Sequence, residues 1–153
     1  MSVKAPKSFA GDFPPDTKIA IAAARFNNEI VDELLRGCVQ RLKELKLAEK
    51  NIEVHQVPGA FELPLAAKLL ADTQKFNAII CLGCVIRGDT PHFDYVAGQC
   101  AQGIQQVALE TKIPIIFGVL TTNTEQQARD RLDAGQRSAD AAAEMIALVR
   151  NLA

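Results

Sequence analysis

The chain has 153 residues, a formal net charge of −1 and a hydrophobic fraction of 48%. That length suits one compact domain, and the balance of acidic and basic side chains disfavours general nucleic-acid binding, for which a basic excess is typical. No apolar run reaches the roughly 20 residues that span a bilayer, and the N-terminal lysines precede no apolar segment of a secretory signal. The composition predicts a globular cytoplasmic protein without nucleic-acid or membrane partners.

An irregular N-terminal arm is expected over residues 1–16, which contain three prolines, and a single domain over residues 17–153. Phe9 and Phe13 lie in this arm, outside the predicted core. Arms of this kind can bury apolar side chains against a neighbouring protomer, so we expect these two rings to contribute to an assembly.

Short apolar β-like runs alternate with longer helical patterns through the rest of the chain. The runs that predict strands are 19–24, 51–57, 76–82 and 115–120. The segments that predict helices are 30–45 with Asn28 as a candidate cap, 65–71 with Pro64 near its start, a helix from about His92, and then 125–131 and 138–151. The residues between Gly83 and His92 are too rich in glycine and proline for one regular element.

This alternation predicts an α/β fold with a four-stranded, mainly parallel sheet and helices on both of its faces. Ligands bind beyond the carboxyl ends of the strands in such sheets. The segments that follow residues 24, 57, 82 and 120 are therefore the places to look for a site.

The first two of these segments offer an aromatic ring and a carboxylate. Phe26 can stack on a flat heterocycle, or it can close the end of the core. Glu62, after the turn at Pro58-Gly59, can bind a substrate hydroxyl, or it can be a first-turn carboxylate that the helix dipole favours. Spacing alone does not separate these interpretations.

The third segment favours an anion. Gly88-Asp89-Thr90 before a helix can present backbone N–H groups and a hydroxyl to a phosphate. It is neither a P-loop nor a dinucleotide fingerprint. His92 suits proton transfer near neutral pH, although a histidine at a helix start can also cap or pack locally; His55, inside the second strand, is expected to be structural.

Three arginines follow the fourth strand, namely Arg129, Arg131 and Arg137. One of them can supply a guanidinium fork for a phosphate, although most arginines on amphipathic helices are solvated.

Four cysteines occur in the chain, and two of them, Cys81 and Cys84, form a C-x-x-C. Neither a second C-x-x-C nor a spaced histidine pair completes a zinc shell. We expect no metal site here and interpret the cysteines as small buried apolar side chains.

The segments at the strand ends carry motifs that are specific when taken together. They are Ala24-Arg25-Phe26-Asn27, Pro58-Gly59-Ala60-Phe61-Glu62-Leu63-Pro64, Leu82-Gly83-Cys84-Val85-Ile86-Arg87-Gly88-Asp89-Thr90-Pro91-His92-Phe93-Asp94-Tyr95 and Phe117-Gly118-Val119-Leu120-Thr121-Thr122. In these motifs the chain resembles the lumazine synthase family, over roughly residues 18–150 in unbroken order.

The resemblance implies a flavodoxin-like three-layer α/β/α sandwich in a homopentamer, in some members twelve pentamers forming a 60-subunit shell. It implies condensation of 5-amino-6-(D-ribitylamino)uracil with 3,4-dihydroxy-2-butanone 4-phosphate to 6,7-dimethyl-8-ribityllumazine, the penultimate step of riboflavin biosynthesis. Neither a metal nor an organic cofactor is implied. Whether riboflavin synthase is a partner is left open.

The resemblance also implies a role for individual residues. Phe26 would stack on the pyrimidine, and His92 is the family's proton-transfer residue. Phe117 and Arg131 would reach in from the neighbouring protomer, with Arg131 clamping the phosphate. The other implied contacts are of Ala60, Phe61 and Glu62 with the ring and ribityl chain, of Cys84, Val85 and Ile86 with the pyrimidine side, and of Asp89 and Thr90 with the butanone phosphate.

Two features depart from the family's pattern. Cys84 stands where the family often has threonine, and residues 132–138 are shorter than its Gly/Lys-rich turn. Whether Arg137 substitutes for the second phosphate-binding cation of that turn is left open.

Two alternatives stand beside a lumazine synthase. An archaeal-type riboflavin synthase would share the fold and take two lumazine molecules, but the phosphate contacts implied for Thr90 and Arg131 favour a phosphate ester. A catalytically silent binding or shell protein is disfavoured because His92 and Arg131 are both intact.

Overall fold

The computed structural model describes residues 11–153, in which strands and helices alternate. The strands are β1 (Ile19–Ala24), β2 (Ile52–Val57), β3 (Ala78–Ile86) and β4 (Ile115–Thr122). The helices are α1 (Asn28–Glu44), α2 (Leu63–Asp72), α3 (His92–Thr111), α4 (Glu125–Arg129) and α5 (Ala134–Leu152). Short 3₁₀ turns at Glu49–Asn51 and Ala60–Glu62 precede β2 and α2.

The sheet is entirely parallel, with strand order β2-β1-β3-β4. One apolar cluster joins it to α1 and α5, and a second cluster on the opposite face joins it to α2 and α3. Every residue of β1 is buried, as a continuous apolar run predicts for a central parallel strand. This arrangement confirms the predicted three-layer α/β/α sandwich. Within residues 11–153, no helix has both the length and the apolar character needed to cross a membrane.

The strands β3 and β4 extend further than the sequence predicts. They end at Ile86 and Thr122, which pair with each other, rather than at Leu82 and Leu120. The expectation that the chain becomes irregular at Gly83 is therefore wrong. Glycine has a weak strand preference, but hydrogen bonding to the neighbouring strand compensates for it here. The longer strands carry the next loop beyond the end of β1.

The helix boundaries also differ from the predicted ones. Asn28 is the first residue of α1 and not its cap; the preceding Asn27 has φ 59°, a left-handed conformation that asparagine tolerates. α2 begins at Leu63 rather than residue 65, α4 ends at Arg129 rather than residue 131, and α5 begins at Ala134 rather than residue 138.

The described part of the arm packs against the domain. Residues 11–16 contain no helix or strand. The Phe13 ring is buried in the cluster with α1 and α5, and its backbone N–H donates to the Leu45 carbonyl at 3.3 Å. The expectation that this ring packs against a neighbour is wrong, because the protomer's own core already covers it. Phe9 lies outside the described residues.

Helices α1 and α5 approach each other closely at a glycine. A Cβ atom on Gly135 would lie 2.2 Å from the carbonyl oxygen of Leu34, and no side chain can rotate away to relieve that contact. Gly98 on α3 is the opposite case, because a Cβ atom there would have no neighbour within 4 Å.

We predict that Gly135→Ala destabilises the fold by about 3 kcal/mol, the upper range for forcing a group into a packed core. Urea unfolding at fixed protein concentration measures this change. Gly98→Ala is the matched control and should be neutral or stabilising by up to about 1 kcal/mol, because alanine is the better helix former. Equal unfolding midpoints for the Gly135 variant and the wild type would contradict the close approach.

Candidate functional site

The four strand ends define one edge of the sheet, because all strands run in the same direction. The chain leaves β1 toward β2 on one side, whereas β3 and β4 lie on the other side of β1. This reversal of strand order opens a crevice beyond β1 and β3, the general position of ligand sites in open α/β sheets. The predicted binding segments all begin at this edge.

The loop after β1 is fixed through its backbone. The N–H of Arg25 donates to the Val57 carbonyl at 2.8 Å, and the N–H of Phe26 donates to the Pro58 carbonyl at 3.0 Å. The Phe26 ring is nevertheless 72% exposed. The ring therefore stands on a fixed backbone with its faces available for stacking.

Asn27 ties this loop to β3. Its side-chain Nδ2 donates to the carbonyl oxygen of Cys84 at 2.8 Å. This function of Asn27 does not follow from the sequence pattern, although an asparagine between a strand and a helix start indicates a left-handed residue. The contact places Phe26 next to the end of β3, where the predicted contacts Cys84, Val85 and Ile86 lie.

The loop after β2 lies beside Phe26. Ala60 is buried and Phe61 is 56% exposed. A Cβ atom on Gly59 would lie 3.8 Å from the Cβ of Phe26, which shows how close the two loops are. The Glu62 carboxylate accepts from the Gly59 N–H at 3.0 Å through Oε2. This bond fits the local interpretation of Glu62, and it leaves Oε1 available for a ligand hydroxyl.

The loop after β3 is exposed throughout. Asp89, Thr90 and His92 all face solvent, and His92 begins α3. The backbone N–H of His92 lies 3.4 Å from the Thr90 hydroxyl oxygen, a long contact. The structure thus brings a hydroxyl, a helix N-terminus and an imidazole together, a combination that can bind a phosphate and move a proton.

Phe117 and Arg131 lie apart from the site residues on the three loops described above. Phe117 pairs in register with Cys81 on the edge strand β4, five residues before that strand ends at Thr122. At about 3.3 Å per residue, its backbone lies roughly 16 Å from the end of β4 and about 10 Å from the level of Cys84, which pairs with Leu120. The ring is 43% exposed. Arg131 lies beyond the end of α4, and its side chain is also exposed.

The three arginines after β4 differ in their partners. The Arg129 guanidinium binds Glu125 at 3.1 Å and Glu29 at 3.2 Å, and that of Arg137 binds Asp133 at 3.1 Å. Arg131 donates only to the backbone carbonyl of Gln127, at 2.8 Å, and within residues 11–153 it has no carboxylate partner. Its charge is the least compensated of the three, which best suits it to bind an anion.

The cysteines fit a structural role. All four are free and buried, as predicted. Cys81 packs in the cluster with α2 and α3 and Cys84 in the cluster with α1 and α5, because residues three apart on a strand point to opposite faces.

Burial raises the pKa of the Cys84 thiol to about 11, with a further contribution from the charge of Glu125. This thiol is therefore protonated at neutral pH, the form that neither attacks as a nucleophile nor binds zinc. Within the described residues, no group of three or more His, Cys, Asp or Glu side chains is arranged to hold a metal ion.

Comparison with known protein families agrees with the site motifs. The family model described as 6,7-dimethyl-8-ribityllumazine synthase matches residues 16–150 of this chain. The match includes all four strands and the loops at their carboxyl ends. The chain therefore belongs to the 6,7-dimethyl-8-ribityllumazine synthase family.

Proposed function

We propose that this protein condenses 5-amino-6-(D-ribitylamino)uracil with 3,4-dihydroxy-2-butanone 4-phosphate to give 6,7-dimethyl-8-ribityllumazine. The observation that carries the proposal is the family match over residues 16–150, with the family's motifs on adjacent loops of one sheet edge. We further propose that it does so without a metal or an organic cofactor, in the cytoplasm.

The pyrimidine binds where the loops after β1 and β2 meet the end of β3. The exposed Phe26 ring stacks on the heterocycle, and Oε1 of Glu62, which has no hydrogen-bond partner among residues 11–153, accepts from ribityl hydroxyls. Backbone hydrogen bonds from the loop after β1 to Val57 and Pro58 hold the two loops side by side, and this proximity supports the assignment. The remaining contacts that we assign to this substrate are Ala60, Phe61, Cys84, Val85 and Ile86.

The butanone phosphate binds at the loop after β3. Thr90 offers its hydroxyl beside the N-terminus of α3, an arrangement suited to a phosphate. We also assign Asp89 to this subsite. The nearby His92 then lies close to the reacting carbons rather than to the ribityl chain.

The reaction moves protons and requires no external oxidant or reductant. The uracil amine attacks the ketone, and loss of water gives an imine. A proton leaves carbon as the phosphate departs, and the resulting enol tautomerises to a ketone. The ribitylamino nitrogen attacks that carbonyl, and loss of a second water completes the ring. We assign the proton transfers to His92, while holding two substrates together supplies much of the rate.

The site is completed by a second protomer in a closed ring, which we propose to be a pentamer. Phe117 is exposed on the edge strand and pairs with Cys81, about 10 Å along the sheet from the level of Cys84, so its ring lies away from the loops of its own site. Arg131 carries a charge that no carboxylate of the described chain compensates. Both can face the neighbour's site, because head-to-tail contacts between identical subunits close into rings.

We predict that the purified protein, mixed with both substrates, forms a fluorescent lumazine with one inorganic phosphate released per product. Fluorescence and a phosphate assay follow the two products in parallel. In this mixture an archaeal-type riboflavin synthase and a silent shell protein would both produce neither signal, and only the former would convert separately added lumazine to riboflavin. Either of those results would contradict the proposal.

We predict that His92→Ala lowers kcat by about 10²–10⁴-fold with little change in either KM, because a positioned acid–base group contributes about this much. His55→Ala is the matched control: this other histidine is half exposed on β2 and contacts Glu53 at 3.1 Å. It should retain the wild-type kcat. Full activity in the His92 variant would remove this residue from the mechanism.

We predict that inactive His92→Ala and Arg131→Ala rings regain activity when they are unfolded together and reassembled. With equal random mixing, about a quarter of the interfaces would join an intact His92 to an intact Arg131 of the next subunit. The recovered activity should therefore approach a quarter of the wild-type value, with mixed rings verified by native mass spectrometry. Mixed rings without activity would mean that both residues serve the same protomer's site.

A further inference from the structure

The loop of residues 88–91, hereafter the 88–91 loop, has few contacts of its own. All four residues are exposed, and a Cβ atom on Gly88 would meet no atom within 4 Å. The contact between the His92 N–H and the Thr90 hydroxyl, at 3.4 Å, is long for a hydrogen bond. At the end of the loop the Asp94 N–H donates to the Pro91 carbonyl at 3.0 Å, but within residues 11–153 no short hydrogen bond holds Thr90 itself.

Arg87 binds the protein on both sides of this loop. Its backbone N–H donates to the Thr122 carbonyl at 2.8 Å, which fixes the loop's start on β4. Its guanidinium donates through Nη2 to the Asp94 carboxylate at 3.2 Å, and it lies 4.4 Å from the centre of the Phe93 ring. Both partners belong to the first turn of α3, so the side chain spans the loop from one end to the other.

A third contact fixes the guanidinium itself. Arg87 Nε donates to the side-chain oxygen of Asn123 at 3.1 Å. Asn123 is in turn held by its backbone N–H, which donates to the Gln127 side chain at 2.8 Å. Arg87 is thus anchored on the β4–α4 turn while it holds the start of α3, an arrangement that a planar fork can make and a single ammonium cannot.

We propose that Arg87 is a positioning residue for the condensation, holding the 88–91 loop so that Thr90 and His92 keep one geometry toward the phosphate-bearing substrate. This inference rests on the proposed function. Arg87 acts through the loop and needs no contact with either substrate. Its side chain is 44% exposed and that of Asp94 58% exposed, and exposed ion pairs add little to global stability. Its effect should therefore be local.

The test compares Arg87→Met and Arg87→Lys with Arg36→Met, which removes an exposed arginine paired with Glu33 on α1. For Arg87→Met we expect kcat/KM for the butanone phosphate to fall about 10- to 100-fold, since small misplacements of reacting groups cost this much. The KM for the pyrimidine should not change, because Phe26 and Glu62 lie on other loops. Arg87→Lys should fall between Arg87→Met and the wild type, and Arg36→Met should match the wild type.

Amide hydrogen exchange supplies a readout that does not depend on turnover. In Arg87→Met, exchange should accelerate at His92 and Asp94, whose amides donate to the Thr90 hydroxyl and the Pro91 carbonyl, while the β-strands and the thermal melting temperature stay unchanged. Unchanged exchange, unchanged kinetics, an equal rise in both KM values, or a general loss of protection would each overturn the positioning role. A wild-type protein that makes no lumazine would overturn the proposed function instead, and the exchange data would still show whether Arg87 braces the loop.

Discussion

Parallel pairing of β1 with β2 on one side and β3 on the other is the constraint on which the site depends. Helices cover both faces, so every β1 residue is buried, and the fully buried side chains of Ile19 and Ile21 contribute about 1.5–3 kcal/mol each. That burial holds the register, and the register decides where each loop starts. A shift of one residue would move a loop by about 3.3 Å, more than the positioning of two substrates tolerates.

The loops at this edge combine exposed side chains with a fixed backbone. Phe26 is one of the most exposed large apolar residues of the described chain, yet its own N–H and the amide of Asn27 are hydrogen-bonded to neighbouring segments. Fixing the backbone in advance lowers the entropy lost on binding, while the exposed ring keeps its stacking surface. The 88–91 loop differs because it makes few backbone hydrogen bonds, and the side chain of Arg87 holds it in place instead.

Charge compensation distinguishes residues that the sequence presents as equivalent. Arg129 and Arg137 are paired with carboxylates of the same protomer, whereas Arg131 bonds only a backbone carbonyl within the described residues. Bringing a phosphate to a paired arginine would require breaking an ion pair, so the unpaired guanidinium is the better anion ligand. This difference supports the use of Arg131 in the proposed composite site.

The sequence by itself determined the α/β class, the family and the strand ends at which to search, because continuous apolar runs, helical periodicity and local motifs are properties of short segments. The sequence pattern predicted an end of β3 that is too early, because pairing with β4 overrides the weak strand preference of Gly83. It also predicted Asn28 as the cap of α1, whereas the cap is Asn27. Only the tertiary structure decided that Phe13 is covered by its own core and that Arg87 reaches both Asn123 and Asp94. Those contacts join residues distant along the chain, and their partners are set by how the layers pack, which no local pattern encodes.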